Sequence, residues 1–245
     1  MSKYNEINLN QVTFTYPDKK KLALNNISLT IKPNTSVGFV GISGSGKSTL
    51  IDVIIGLIQP ISGEVLIDGT SLNKQNLRMW QNKIGFVPQS IFLTEGTIAE
   101  NVAFGIPKDL INYAHVDKAL KLSNLEEFVL KLEKGIHSSV GERGVQLSGG
   151  QRQRIGIART LYYEAEVLVF DEATNALDGI TEKNIMDAIN NFIGKKTIII
   201  IAHRLKTLQK CDQIFMMDEG CIIDSGTFEY LLDNNDEFKK MSDHG

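Results

Sequence analysis

The sequence predicts an α/β fold with a mostly parallel sheet, preceded by an antiparallel β layer and interrupted by a helical insert. Three observations predict it. Apolar and polar residues alternate from Ile7 to Ile31. The buried-looking run SVGFVG feeds the glycine-rich loop GISGSGKST and then a helical pattern. Strand-like and helix-like segments alternate again from Val167 to Ile201.

Each element follows from its spacing. Ile7 and Leu9, then Val12, Phe14 and Tyr16, then Ile27, Leu29 and Ile31 mark half-buried strands over residues 1–35. Residues 36–106 carry the strand SVGFV and a helix from Lys47 to Leu57 that turns Leu50, Val53, Ile54 and Leu57 inward. Two further strands, GEVLIDG between turn glycines and KIGFVPQ ending at Pro88, rejoin the sheet. Residues 107–159 change to helical spacing, with Val116, Leu120, Leu125, Phe128, Val129 and Leu132 as the buried set and a helix beginning at SGGQ. Residues 160–245 return to the core with the strand VLVF, a helix carrying Ile185, Met186, Ile189 and Phe192, and the strand TIIII. The strands QIFMMDE and CIIDSG and a helical tail around Phe228 to Met241 close the chain. There is no internal repeat.

Composition bounds the function. The 245 residues hold 26 basic and 29 acidic side chains, a net charge of −3, so no global basic field draws the chain to nucleic acid or anionic lipid. Cys211 and Cys221 fit no metal or disulfide framework and read as inert thiols in a reducing cytosol. The start MSKYNEINLNQ lacks the apolar core of a secretory signal, and no apolar run approaches the ~18 residues of a spanning helix. A soluble chain is expected, with any membrane role supplied by a partner or a part absent here.

GISGSGKST has the P-loop pattern between a strand and a helix, which makes the core a P-loop NTPase core. Gly41, Gly44 and Gly46 let backbone N–H groups close on phosphate oxygens, with Ser43, Ser45 and Thr49 in the same cradle. Lys47 reaches the β and γ phosphates, and the Ser48 hydroxyl is an oxygen ligand for Mg²⁺. The strand VLVF delivers Asp171 and Glu172 at its end, where open α/β sheets place ligands. Asp171 suits the metal, through water, and Glu172 suits polarising a water in line with the γ phosphate. Three anchors stay ambiguous on their own. Gln89 is either a metal and water sensor, also counted as a metal ligand, or a solvated turn residue. His203 is a γ-phosphate contact or a satisfied histidine, and Tyr16 an adenine platform or a core aromatic. A second glycine stretch, VQLSGGQRQR from Val145 to Arg154, exceeds what one nucleotide needs. It is idle, structural, or meant for a nucleotide the chain does not itself hold. The arginines Arg152 and Arg154 read as a solvated helix face.

Taken in order, Tyr16, GISGSGKST, Gln89, LSGGQ, VLVFDE, NALD at Asn175 to Asp178 and His203 resemble the full motif set of an ABC transporter nucleotide-binding domain. The resemblance covers nearly the whole chain, and Asn175, where relatives often have serine, is its one small departure. It implies ATP and Mg²⁺ as ligands, with Tyr16 the adenine-stacking residue and Lys47 and Ser48 the phosphate and metal groups. It makes Gln89 a lid-like sensor, Glu172 the catalytic carboxylate, His203 the switch histidine and Asp178 a cross-dimer contact. The helical insert becomes the signature subdomain. Ser148, Gly149, Gly150 and Gln151 would be offered to the nucleotide of a second nucleotide-binding domain in a head-to-tail dimer, most simply a homodimer.

VGERG at Val140 to Gly144 and GTIAENVAFG resemble exporter-type domains. Ile91 and Phe92 are either groove residues that receive a transmembrane helix or ordinary core. IDVIIGLIQPISGEVLIDG and HRLKTLQKCDQIF look most like exporters of lipid-linked oligosaccharides. The resemblance thus implies an ATPase motor at the cytoplasmic face of the inner membrane, peripheral through transmembrane domains in the same full-length chain or a separate subunit, with no nucleic-acid partner. The competing class is a soluble ABC-type ATPase of DNA repair, chromosome organisation or translation. Such chains usually carry a long coiled coil or tandem cassettes, and this one has a compact insert. A P-loop metabolite kinase is argued against by the signature stretch and by the lack of an acceptor site.

Overall fold

The computed structural model describes residues 5–173, 177–202 and 204–243. In chain order the elements begin with β1 (Ile7–Phe14), β2 (Leu24–Ile31), β3 (Ser36–Val40), α1 (Lys47–Ile54), β4 (Ser62–Ile67), β5 (Thr70–Ser71), α2 (Leu77–Gln81) and β6 (Ile84–Val87). The helical stretch follows as α3 (Ile98–Val102), α4 (Tyr113–Leu122), α5 (Glu126–Leu130) and α6 (Gly149–Tyr162). The chain continues through β7 (Val167–Asp171), α7 (Gly179–Asn190), β8 (Thr197–Ile201), β9 (Gln213–Asp218), β10 (Cys221–Gly226), α8 (Phe228–Asn234) and α9 (Asp236–Asp243).

Two sheets form. The antiparallel one has the order β2-β1-β4-β5, and the mixed one the order β10-β9-β3-β8-β7-β6. In the mixed sheet β3 pairs in parallel with β8 and β9, and β9 pairs antiparallel with β10. The α/β class expected from the sequence is therefore the one observed. The chain divides into two compact units. One takes the chain up to Ile84, Glu166–Val169 and Ile193 onward; the other takes Gly85–Ala165 and Phe170–Phe192.

In the first unit the pattern of β1 has a physical cause. Its register shifts between Leu9 and Val12, where Gln11 takes a positive φ of 50°. This bulge lets Ile7, Leu9, Val12 and Phe14 all face the core although their spacing breaks strict alternation. GEVLIDG is the strand β4, and it pairs antiparallel with β1, Leu9 opposite Val65. The helix expected from Lys47 to Leu57 is shorter. α1 ends at Ile54 because Gly56 turns left-handed at φ 74°, with Gly56 N–H donating to Val53 O at 3.1 Å and Leu57 N–H to Asp52 O at 2.8 Å. This paired closure is a Schellman ending, and it leaves Leu57 61% exposed instead of inward.

In the second unit the core gathers Leu93, Ile98, Val102, Val116, Leu120, Leu125, Val129, Val140, Leu147 and Ile155. The expected set at helical spacing holds, with Phe128 and Leu132 packed on it and only partly buried. α3 starts with a capping box in which Thr97 and Glu100 satisfy each other's backbone N–H. Gly156 of α6 lies close beneath Ile91. A Cβ there would collide with the Ile91 side chain, so Ile91 is held against α6, whereas Phe92 stays 60% exposed.

Candidate functional site

In the first unit the loop from Gly41 to Gly46 joins β3 to α1. Gly46 caps the helix with φ 103°, and a Cβ there would stand 2.5 Å from the Ala23 carbonyl oxygen. Only glycine supports that turn without strain. Lys47 folds back into the loop and is 6% exposed; its Nζ donates to Gly41 O at 2.8 Å, Ile42 O at 2.9 Å and Ser45 Oγ at 3.1 Å. Among the described residues no side chain caps α1, so its first N–H groups face the loop and its dipole adds a partial positive charge there. Ser48 stands exposed in the first turn, while Ser45 and Thr49 are buried and Ser43 and Gly44 form the exposed crest. The Thr49 hydroxyl shares a hydrogen bond of 3.1 Å with Tyr16 OH. Tyr16 is thereby tethered beside the loop, edge-on to Phe14 at 5.0 Å between ring centroids, with 41% of its surface open.

In the second unit Asp171 ends β7 and Glu172 follows it in a left-handed conformation, φ 50°. Gln89 Nε2 donates to Glu172 Oε2 at 2.6 Å. These two residues lie 83 positions apart in sequence. Gln153 Nε2, on α6, donates to the Glu172 main-chain oxygen at 3.5 Å.

α6 is capped by its own signature residues. Ser148 Oγ accepts from Gln151 N–H at 3.1 Å and Gln151 Oε1 accepts from Ser148 N–H at 2.8 Å. The Gln151 side chain is occupied in this capping box, while Ser148 and Gly149 are exposed. Asp178 is the N-cap of α7, accepting from Thr181 N–H at 3.0 Å, and this hydrogen bonding holds its carboxyl below the usual range. The arginines after the signature are not a solvated face. Arg152 Nη1 donates to Leu147 O at 2.7 Å and Arg154 Nη1 to Asn124 O at 2.8 Å, both side chains being only partly exposed. Burial lowers the Arg154 pKa, with the Asp178 charge acting against it.

His203 and Asn175 lie outside the described residues. Sequence reasoning passed over the Thr49 tether, Gln153 and Arg159. Arg159 donates to Asn101 O at 3.0 Å and to Phe92 O at 3.2 Å, and lies 4.5 Å from the centroid of the Phe104 ring. Cys211 is buried, which pushes its thiol up to about 12, whereas Cys221 is partly exposed.

The donor set of the first unit fits a phosphate chain with a hard divalent cation: backbone N–H groups, one ammonium and an exposed hydroxyl in the first turn of α1. Among the described residues no cluster of three His, Cys, Asp or Glu side chains makes a metal cage of its own. Among the described residues no helix is long and apolar enough to cross a membrane.

Comparison with known proteins gives the arrangement a context. The chain is 40% identical over 240 residues, 98% of its length, to the multidrug resistance-like ATP-binding protein MdlA of Buchnera aphidicola, covering 41% of that protein. It is 41% identical over 238 residues to an ATP-dependent lipid A-core flippase of Pseudoalteromonas translucida, covering 96% of this chain and 40% of the relative. A solved structure of a bacterial Atm1-family ABC exporter with ATP bound matches all of this chain and 42% of that one, with a TM-score of 0.93 and 34% identity. The chain therefore spans about two fifths of the relatives it matches. The ABC transporter family model matches residues 24–175, the span that carries Lys47, Gln89, Ser148 and Glu172. The glycine loop closed on its lysine and the capped LSGGQ helix thus sit on a matched backbone and within a matched sequence, and the chain belongs to the ABC transporter family.

Proposed function

We propose that this chain is the ATP-binding and ATP-hydrolysing motor of an exporter. The observation that carries the reading is the loop from Gly41 to Gly46, shaped by left-handed glycines, with Lys47 buried inside it and α1 uncapped beyond it. Lys47 and the N–H groups of the loop and of α1 bind the phosphate chain, and Tyr16 offers its open ring face to the adenine. Ser48, Asp171 through water and Gln89 would hold Mg²⁺. When bound, Mg²⁺ neutralises charge on the phosphate oxygens. Glu172 accepts the proton of the attacking water as that water's oxygen bonds the γ phosphorus; the bridging oxygen leaves with ADP. His203 contacts the γ phosphate.

The site is completed by a second nucleotide-binding domain, most simply a second copy. Ser148, Gly149 and Gly150 are exposed or partly exposed at the start of a helix of 14 residues, which suits them to a γ phosphate held by a partner. Gln151 orders that helix start, and Asp178 contacts the partner. ATP then favours the paired state and hydrolysis releases it. The output is movement of transmembrane segments, in the same full-length chain or a separate subunit, at the cytoplasmic face of the inner membrane. The relatives named as lipid A-core flippases support a lipid-like cargo, such as a lipid-linked oligosaccharide. The test is Glu172→Gln: ATP binding persists, turnover falls roughly 10² to 10⁴-fold, and the ATP-bound chain accumulates as a dimer on size exclusion. Near-normal turnover would remove Glu172 from its role.

A further inference from the structure

We propose that Gln153, a buried side chain of α6, is a positioning residue for Glu172: its amide holds the Glu172 main chain in the left-handed conformation from which the carboxylate meets Gln89. Four observations within one unit carry this. Gln153 is 3% exposed, although it stands inside the polar run QRQR. Its Nε2 donates to the Glu172 main-chain oxygen at 3.5 Å. Glu172 has φ 50°, a conformation that a residue with a Cβ leaves unless something holds it. The carboxylate so presented accepts from Gln89 Nε2 at 2.6 Å.

A glutamine is suited to this place. Its amide is a neutral donor, so it pins a carbonyl without setting a charge beside the carboxylate. A leucine or methionine would fill the same buried space and leave the Glu172 carbonyl with one donor fewer. Gln153 also lies five residues beyond Ser148 on α6, about 7.5 Å along the helix axis. Whatever engages Ser148 and Gly149 therefore acts on a rigid helix whose buried side touches the main chain of the base. Gln89 meets Glu172 at its carboxylate and Gln153 at its backbone.

The proposal rests on Glu172 acting as the base, and the test separates the two. Gln153→Met keeps the volume and removes the donor. ATP turnover at saturation falls about tenfold to a hundredfold, while KM for ATP and the melting temperature stay at wild-type values. In a Glu172→Gln background the same change leaves the residual single-turnover rate unmoved, because there is no base left to position. Gln153→Glu, which sets an acceptor against the carbonyl, loses at least as much as Gln153→Met. Normal turnover in Gln153→Met with slow turnover in Glu172→Gln overturns the positioning role alone. Normal turnover in Glu172→Gln overturns both. An equal loss from Gln153→Met with and without Glu172 assigns Gln153 to general packing and overturns the proposal.

Discussion

The two glycine-rich helix starts of this chain are built in opposite ways. At α1 the glycines are required by the chain's own backbone: Gly46 has φ 103° and no room for a Cβ beside the Ala23 carbonyl. At α6, Gly149 and Gly150 are the first helical residues, and the N-cap before them is an ordinary extended serine. Both glycines are helical, a backbone conformation open to any residue but proline. α1 has no side-chain cap, and Lys47 fills the loop it leaves. α6 is closed by Ser148 and Gln151. The first start is a full cradle made by one copy. The second is an ordered, capped helix start with Ser148 and Gly149 exposed.

Substitutions that exchange these demands break or sharpen the contrast. Gly46→Ala is the more severe. It forces a side chain into a left-handed turn and against a carbonyl, displaces the loop, and lowers ATP affinity by roughly a hundredfold, read by titration with a fluorescent ATP analogue. Affinity within a few-fold of wild type would show that the loop does not hold the phosphates. Gly149→Ala acts the other way on the fold. Alanine is the better helix former, so the melting temperature does not fall, while turnover drops about tenfold because the added methyl blocks the approaching phosphate. A variant no less stable and fully active would make the signature glycines a local backbone feature after all.

Much of this was legible in the residues, and the unread part has a common cause. Strand, glycine loop and helix around Lys47 follow from spacing, as do the delivery of Asp171 and Glu172 at the end of β7 and the buried set from Val116 to Val129. The bulge in β1 went unread, although the step from Leu9 to Val12 breaks the alternation there. The overlong α1 was a misjudged stop: Gly56 was there to be read, and the apolar Leu57 beyond it masked it. What stayed hidden are contacts to main-chain carbonyls and contacts across long separations. Arg152, Arg154, Arg159 and Gln153 all donate to backbone oxygens, which no letter of the sequence marks as acceptors. The polarity of Arg152 and Arg154 therefore reads as solvation, and Arg159 and Gln153 give no sign of their roles. The hydrogen bond from Gln89 to Glu172 joins distant residues that only the fold brings together.

The central claim is that each nucleotide is served by the phosphate loop of one copy and the signature of another. Mixing two inactive chains tests it most directly. Lys47→Ala removes the cradle's ammonium; Gly149→Asp sets a negative charge at the start of α6, where the helix tolerates it and a phosphate does not. In a mixed dimer of the two, one site joins an intact loop to an intact signature. The account predicts that each variant alone is inactive and that an equal mixture recovers about a quarter of wild-type ATP turnover per chain, the statistical share of intact sites. A mixture no more active than its separate components would contradict a site shared between copies.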